Sequence, residues 1–144
     1  MGNPISNELK LGTIAELLVQ ASLLQFDVQA APPLKDSGND LIAIRRAAIR
    51  AIQVKATKRD RYGAPKEKIR YDILAAVRMR GAGRLIHFDQ CEIFLLEKKE
   101  LRRLPRSFDR LPRDYLLTKE RVDFLFPRIT PHQALQPTAA ARRG

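Results

Sequence analysis

A single cysteine, Cys91, is the only thiol in this 144-residue chain. One cysteine excludes an intramolecular disulfide and any zinc site built on several cysteines. It lies between Gln90 and Glu92, ahead of the run "IFLL", as a strand-edge residue would, and such scarcity fits a reducing compartment. Two histidines, His87 and His132, have no partners at metal-ligand spacing. No Ser/His/Asp or Cys/His arrangement for nucleophilic catalysis is present. No apolar run approaches the length of a membrane span, and no secretory signal opens the chain. The opening "MGNPIS" satisfies a myristoylation pattern so permissive that chance readily produces it. Internal repeats, helix-turn-helix and zinc-finger signatures are missing as well. Carboxylates are also scarce: sixteen Asp and Glu stand against twenty-seven Lys and Arg, a formal charge of +11. Such an excess attracts polyanions, nucleic acid first. With 44% hydrophobic and 30% charged residues, the chain reads as one globular domain able to bury a core. A cytoplasmic, nucleoid-associated location is expected.

The pattern along the chain begins with "NELKLGTIAELLVQASLLQF" (7–26). Ile14, Leu17, Leu18, Ala21 and Leu24 recur there at helical spacing, which predicts an amphipathic helix. "DVQAAPPL" (27–34) suits a short strand stopped by Pro32 and Pro33, which cannot donate ladder hydrogen bonds. After the turn "KDSGN", the runs "DLIAIRR" and "AIRAIQVKAT" read as two strands of a hairpin. A basic, polar loop follows at 58–70. Then comes "YDILAAV" (71–77), which suits a strand or a helix and is read as a strand because it is short and runs into the glycine-rich "RGAG". A further strand is read at 91–97. "KKELRRL" (98–104) reads as a short helical turn. The periodicity of 115–127 does not distinguish helix from strand. Residues 131–144 carry two prolines and no periodicity, the pattern of a flexible tail behind a domain spanning 1–130. This order predicts an α/β fold with a mixed central sheet flanked by helices.

A turn centred on Arg46 and Ala47 would set Asp40 opposite Gln53, on the face that also carries Lys55. Burying an unpaired Asp or Lys is costly, so such a group must pair, face water or hold an ion. Two readings follow. One is an Asp40–Lys55 ion pair at a sheet edge, a common and inexpensive arrangement. The other is a divalent-metal site in which Asp40 and the Gln53 amide supply hard oxygens. Lys55 would then stabilise charge developing on a phosphate. Glu16 also has two readings. "TIAE" (13–16) matches a capping box, whereas a helix starting near Asn7 places Glu16 in mid-helix. Asp36, in the turn before Asp40, is read chiefly as a turn former.

"DLIAI…IQVK" resembles the active-site hairpin of the PD-(D/E)XK nuclease superfamily, in which an Asp opens one strand and an acid-x-Lys pair lies on the next. Thirteen residues separate Asp40 from Gln53, and Glu16 sits where the superfamily often adds a helical Glu. The layout over roughly residues 10–58 resembles Holliday junction resolvases and, more closely, homing endonucleases associated with group I introns. The resemblance implies a restriction-endonuclease-like fold and a DNA endonuclease of homing or junction type. Mg²⁺, replaceable by Mn²⁺, would be held by Glu16, Asp40 and Gln53, with Lys55 as the catalytic cation. Double-stranded or branched DNA would be the substrate, and cutting both strands would require a homo-oligomer. Gln53 departs from the usual acid, although restriction enzymes directed at modified DNA also carry Gln-x-Lys and are active. DNA contacts are expected from Lys58, Arg59, Arg61, Lys66 and Lys68, and then from the basic run 98–113. The competing readings are a catalytically silent DNA-binding protein on the same fold, an RNA-processing relative, and a structural protein indifferent to nucleic acid.

Overall fold

The computed structural model describes residues 5–35 and 38–127. Asp36, His132, the first four residues and the tail expected at 131–144 lie outside them. A single long helix, α1 (Asn7–Leu24), comes first, followed by strands β1 (Gln29–Ala31), β2 (Leu41–Arg45), β3 (Ala48–Thr57) and β4 (Ile73–Arg78). Next come a small hairpin, β5 (Gly81–Ala82) and β6 (Leu85–Ile86), then β7 (Glu92–Glu97), several 3-10 turns and helix α2 (Lys119–Leu125). The main sheet has five strands in the order β1-β2-β3-β4-β7. Only the β3–β4 pair is parallel. The expected mixed α/β sheet is therefore present. The segment 115–127 resolves into a 3-10 turn and α2, and the β5–β6 hairpin within and after "RGAG" is an element the sequence pattern did not suggest.

Helix α1 starts where a serine can cap it: the Ser6 hydroxyl accepts from the Leu9 amide at 3.2 Å, satisfying one of the unpaired donors of the first turn. The capping-box reading of Thr13 and Glu16 therefore fails, and Glu16 stands in mid-helix. The buried stripe also differs from the expected one. Ala15, Val19 and Leu23 are fully buried, whereas Leu17 is 58% and Leu24 60% exposed. In a helix this rich in leucine more than one stripe is apolar. The ridge running through small Ala15 is the one that closes against the sheet. Glu16, adjacent to Ala15 and one turn before Val19, consequently borders the packed face rather than lying opposite it.

Alternation along the strands divides the core into two layers. Leu41, Ala43, Ile52, Val54, Ile73, Ala75, Val77 and Leu95 meet α1 and α2 on one face. Leu74, Ala76, Phe94 and Leu96 meet Tyr62, Tyr71, Phe108 and Leu111 on the other. Gln53 and Lys55 point to this second face, which is covered over β4 and β7 and left open over β2. There the cross-strand partners Ile44 and Ile49 are 42% and 64% exposed.

The cover is fastened by one buried guanidinium. Arg78 donates to Asp109 at 2.7 Å and to Asp60 at 2.8 Å, with Glu92 at 3.8 Å. Backbone bonds reinforce it, from the Tyr62 amide to the Arg106 carbonyl and from the Phe108 amide to the Asp60 carbonyl. The segment 58–70 is thus a loop pinned along its first half. Arg45, also buried, ties α2 to the hairpin through Asp123 at 2.7 Å and the Phe126 carbonyl at 3.1 Å. No helix among the described residues is long and apolar enough to cross a membrane.

Candidate active site

The β2–β3 hairpin forms in the expected register, from Leu41 opposite Ile52 to Arg45 opposite Ala48. Its two-residue turn needs a positive φ at the first central position, and Arg46 supplies one at 55°. Asp40 stands one step beyond the ladder. Its amide donates to the Ile52 carbonyl at 3.1 Å, and its Oδ2 accepts from the Val54 amide at 2.8 Å. Asp40 is therefore anchored through its amide and its carboxylate to the residues on either side of Gln53, while the other carboxylate oxygen is left for a further partner.

Gln53 is 8% exposed, and its Oε1 is buried with no hydrogen-bond partner in the structure. A buried acceptor without a donor costs about 1–3 kcal/mol. Lys55, two residues on, is half-buried and engages no ion pair or hydrogen bond among the described residues. The Asp40–Lys55 ion pair, the simplest structural account of these residues, is not formed. Glu16 approaches Asp40 from α1. Burial, and then the negative charge of Asp40, raise its pKa above the ordinary carboxylate value. The charge of Asp40 is thus felt by Glu16 on α1, and Asp40 is held by the Val54 amide beside Gln53, which shares its strand face with Lys55.

This donor set fits a hard divalent cation, which would relieve both the repulsion and the orphaned oxygen. Among the described residues no cluster of three His, Cys, Asp or Glu side chains could hold a metal. The set here is two carboxylates and an amide, one charge short of three acids. Of the expected DNA contacts, Arg59, Arg61, Lys66 and Lys68 are exposed. Lys58 is exposed too, but its ammonium is spent on the Gly83 carbonyl at 2.7 Å, so it braces the β5–β6 hairpin. The Arg78 network went unnoticed in the sequence because its partners lie far apart in the chain. The basic run 98–113 was noticeable, but not its approach to residues 62–71.

Neither a family model nor a curated protein matches the sequence. Among solved structures the chain is similar to a bacterial homing endonuclease, I-Ssp6803I, with a TM-score of 0.52 and 17% identity, over 81% of this chain and 88% of that one. At this identity the likeness is one of fold, and it matches the expected nuclease-like α/β architecture.

Proposed function

We propose that this chain is a divalent-metal-dependent endodeoxyribonuclease of the PD-(D/E)XK type in its Gln-x-Lys form. One observation carries the reading. The buried Gln53 Oε1 lacks a donor on the strand face that holds the unengaged Lys55, beside an Asp40 anchored by the Val54 amide. A structural protein would gain nothing from leaving these groups unsatisfied. The fold shared with a homing endonuclease supports DNA as the polymer; homing or branched-DNA cleavage is the role we infer.

Glu16, Asp40 and Gln53 would hold Mg²⁺, or Mn²⁺ in its place, which when bound polarises a phosphate and lowers the pKa of its water. The anchored Asp40 fixes the site to β3, so that the Gln53 and Lys55 side chains keep a constant spacing from it. Lys55 places a positive charge where negative charge gathers on the scissile phosphate, an interaction made chiefly in the transition state. Exposed Arg59, Arg61, Lys66 and Lys68 attract the flanking backbone, each neutralised phosphate adding about 0.9 to the logarithmic salt slope. One such site cuts one strand, so double-strand cleavage calls for a homo-oligomer.

The test is cleavage of supercoiled plasmid and of a synthetic four-way junction with Mg²⁺, Mn²⁺ or EDTA. The wild-type chain is expected to cut in either metal and not in EDTA, and Lys55→Ala to cut about 10²–10³ times more slowly with DNA affinity retained. Binding without cleavage of any substrate would instead establish the silent DNA-binding reading.

A further inference from the structure

The cover of the second layer contains a cleft of about 430 Å³ between residues 62–71 and 98–106. Its volume falls within the roughly 300–1,000 Å³ typical of small-ligand sites. Lys66, Lys98, Arg102 and Arg106 line it, against one carboxylate, Glu67. None of these five side chains forms an ion pair among the described residues. Lys98 is held by the Ile69 carbonyl at 3.2 Å, and the other three cations face a single carboxylate, Glu67.

The walls are as specific as the charge. Lys98 Nζ lies 4.7 Å from the ring centroid of Tyr71, and the Arg106 guanidinium 5.7 Å from that of Tyr62. Tyr62 is fixed by its hydroxyl, which donates to the Pro105 carbonyl at 3.0 Å. The Tyr71 hydroxyl has no protein partner among the described residues. Burial pushes its pKa up, with Arg106 opposing, so at neutral pH it remains a hydrogen-bond donor. Leu101 supplies apolar surface, with the buried Leu74 behind it. Leu74 is also the β4 register partner of Gln53, which places the floor of the cleft one strand away from the candidate active site.

Flanking cations, aromatic rings and an apolar floor are the parts used to bind nucleotides without sequence preference: backbone on the charges, base on the rings. We propose that this cleft is a subsite for one unpaired nucleotide of the DNA substrate. Its phosphate meets Lys66, Arg102 and Arg106, and its base lies along Leu101 and the edge of Tyr71, which is 8% exposed. The proposal rests on the DNA reading above for its choice of polymer, and independently on the cleft for its choice of an unpaired nucleotide. A duplex phosphate alone would use the cations and leave the aromatic, apolar part of the cleft idle.

The test compares a fully paired duplex with the same duplex carrying one bulged 5-iodouracil, using the full chain and Arg102→Gln. Wild-type protein is expected to bind the bulged duplex about ten- to a hundredfold more tightly, the effect of one stacked base. Irradiation is expected to cross-link the bulge to a peptide containing Tyr71, Tyr62 or residues 98–106, and Arg102→Gln to reduce the preference. Equal affinity for the two duplexes, or a cross-link mapped elsewhere, overturns the subsite and leaves the nuclease reading standing. Equal weakening of both duplexes by Arg102→Gln, with a smaller salt slope, makes the cleft a backbone contact and also overturns it. If the chain binds neither duplex, both readings fall.

Discussion

Gln53→Met separates a functional glutamine from a structural one. The replacement keeps the unbranched length of the side chain and removes its buried oxygen. Because Oε1 has no donor and the residue is 8% exposed, the wild-type fold bears the desolvation cost of that acceptor, about 1–3 kcal/mol. Removing the oxygen should return most of that cost. The middle of the range, about 2 kcal/mol, corresponds to a melting temperature about 4–8 °C higher for a chain of this size. Differential scanning calorimetry in EDTA reads this directly. In millimolar Mg²⁺ the order should narrow or reverse, because ligand binding to the folded state stabilises only the chain that retains the site. Cleavage by the variant should be lost in both Mg²⁺ and Mn²⁺. If Gln53→Met melts below the wild type in EDTA and still cuts DNA, the oxygen is satisfied in solution and Gln53 has no part in the chemistry.

Three further outcomes follow from the charges and the backbone. The raised pKa of Glu16 means that the folded chain holds its proton more tightly than the unfolded one. Its unfavourable contribution therefore grows as pH rises from 4.5 through the folded value and is complete above it. Glu16→Gln should accordingly melt higher than the wild type at pH 7 in EDTA, the difference vanishing below pH 4.5, while Mg²⁺-dependent cleavage is lost. Asp123 behaves oppositely: hydrogen bonds from Lys119 first and Arg45 second lower its pKa from 3.8 to about 2. Its stabilisation is present above pH 3.8 and lost as pH falls toward 2, so Asp123→Asn should melt below the wild type at pH 7 and converge with it in acid. Finally, a Cβ on Gly81 would stand 1.8 Å from the Leu85 carbonyl oxygen, a backbone atom that cannot yield. Gly81→Ala should cost about 1–3 kcal/mol by overpacking, and hydrogen exchange should show the β5–β6 amides opening.

The difference between what the sequence made legible and what it did not follows from range. The β2–β3 hairpin could be read, register included, because a two-residue turn between β-branched runs leaves few alternatives and a slip would bury the wrong face. Once the register was known, the convergence of Asp40, Gln53 and Lys55 followed. The orientation of α1 could not be read: Leu17 and Leu24 fit the helical period as well as Ala15 and Val19 do, and only the sheet decides between them. The cleft between Tyr71 and Arg102 depends on Arg78 pinning residue 60 to residue 109, a contact no local pattern announces.

The amide at position 53 follows the same physical logic. A glutamate there would put a third negative charge beside Asp40, whose charge Glu16 already feels, at a buried position that water screens poorly. Glutamine keeps an oxygen donor and leaves out that repulsion, so the metal-free fold would be less burdened and the affinity for the proposed cation lower. Gln53→Glu should therefore reverse both effects together. In EDTA its melting temperature should fall below that of the wild type, and the Mg²⁺ concentration giving half-maximal cleavage should fall as well. If the two quantities move in opposite directions, position 53 does not face the cation that Glu16 and Asp40 are proposed to hold.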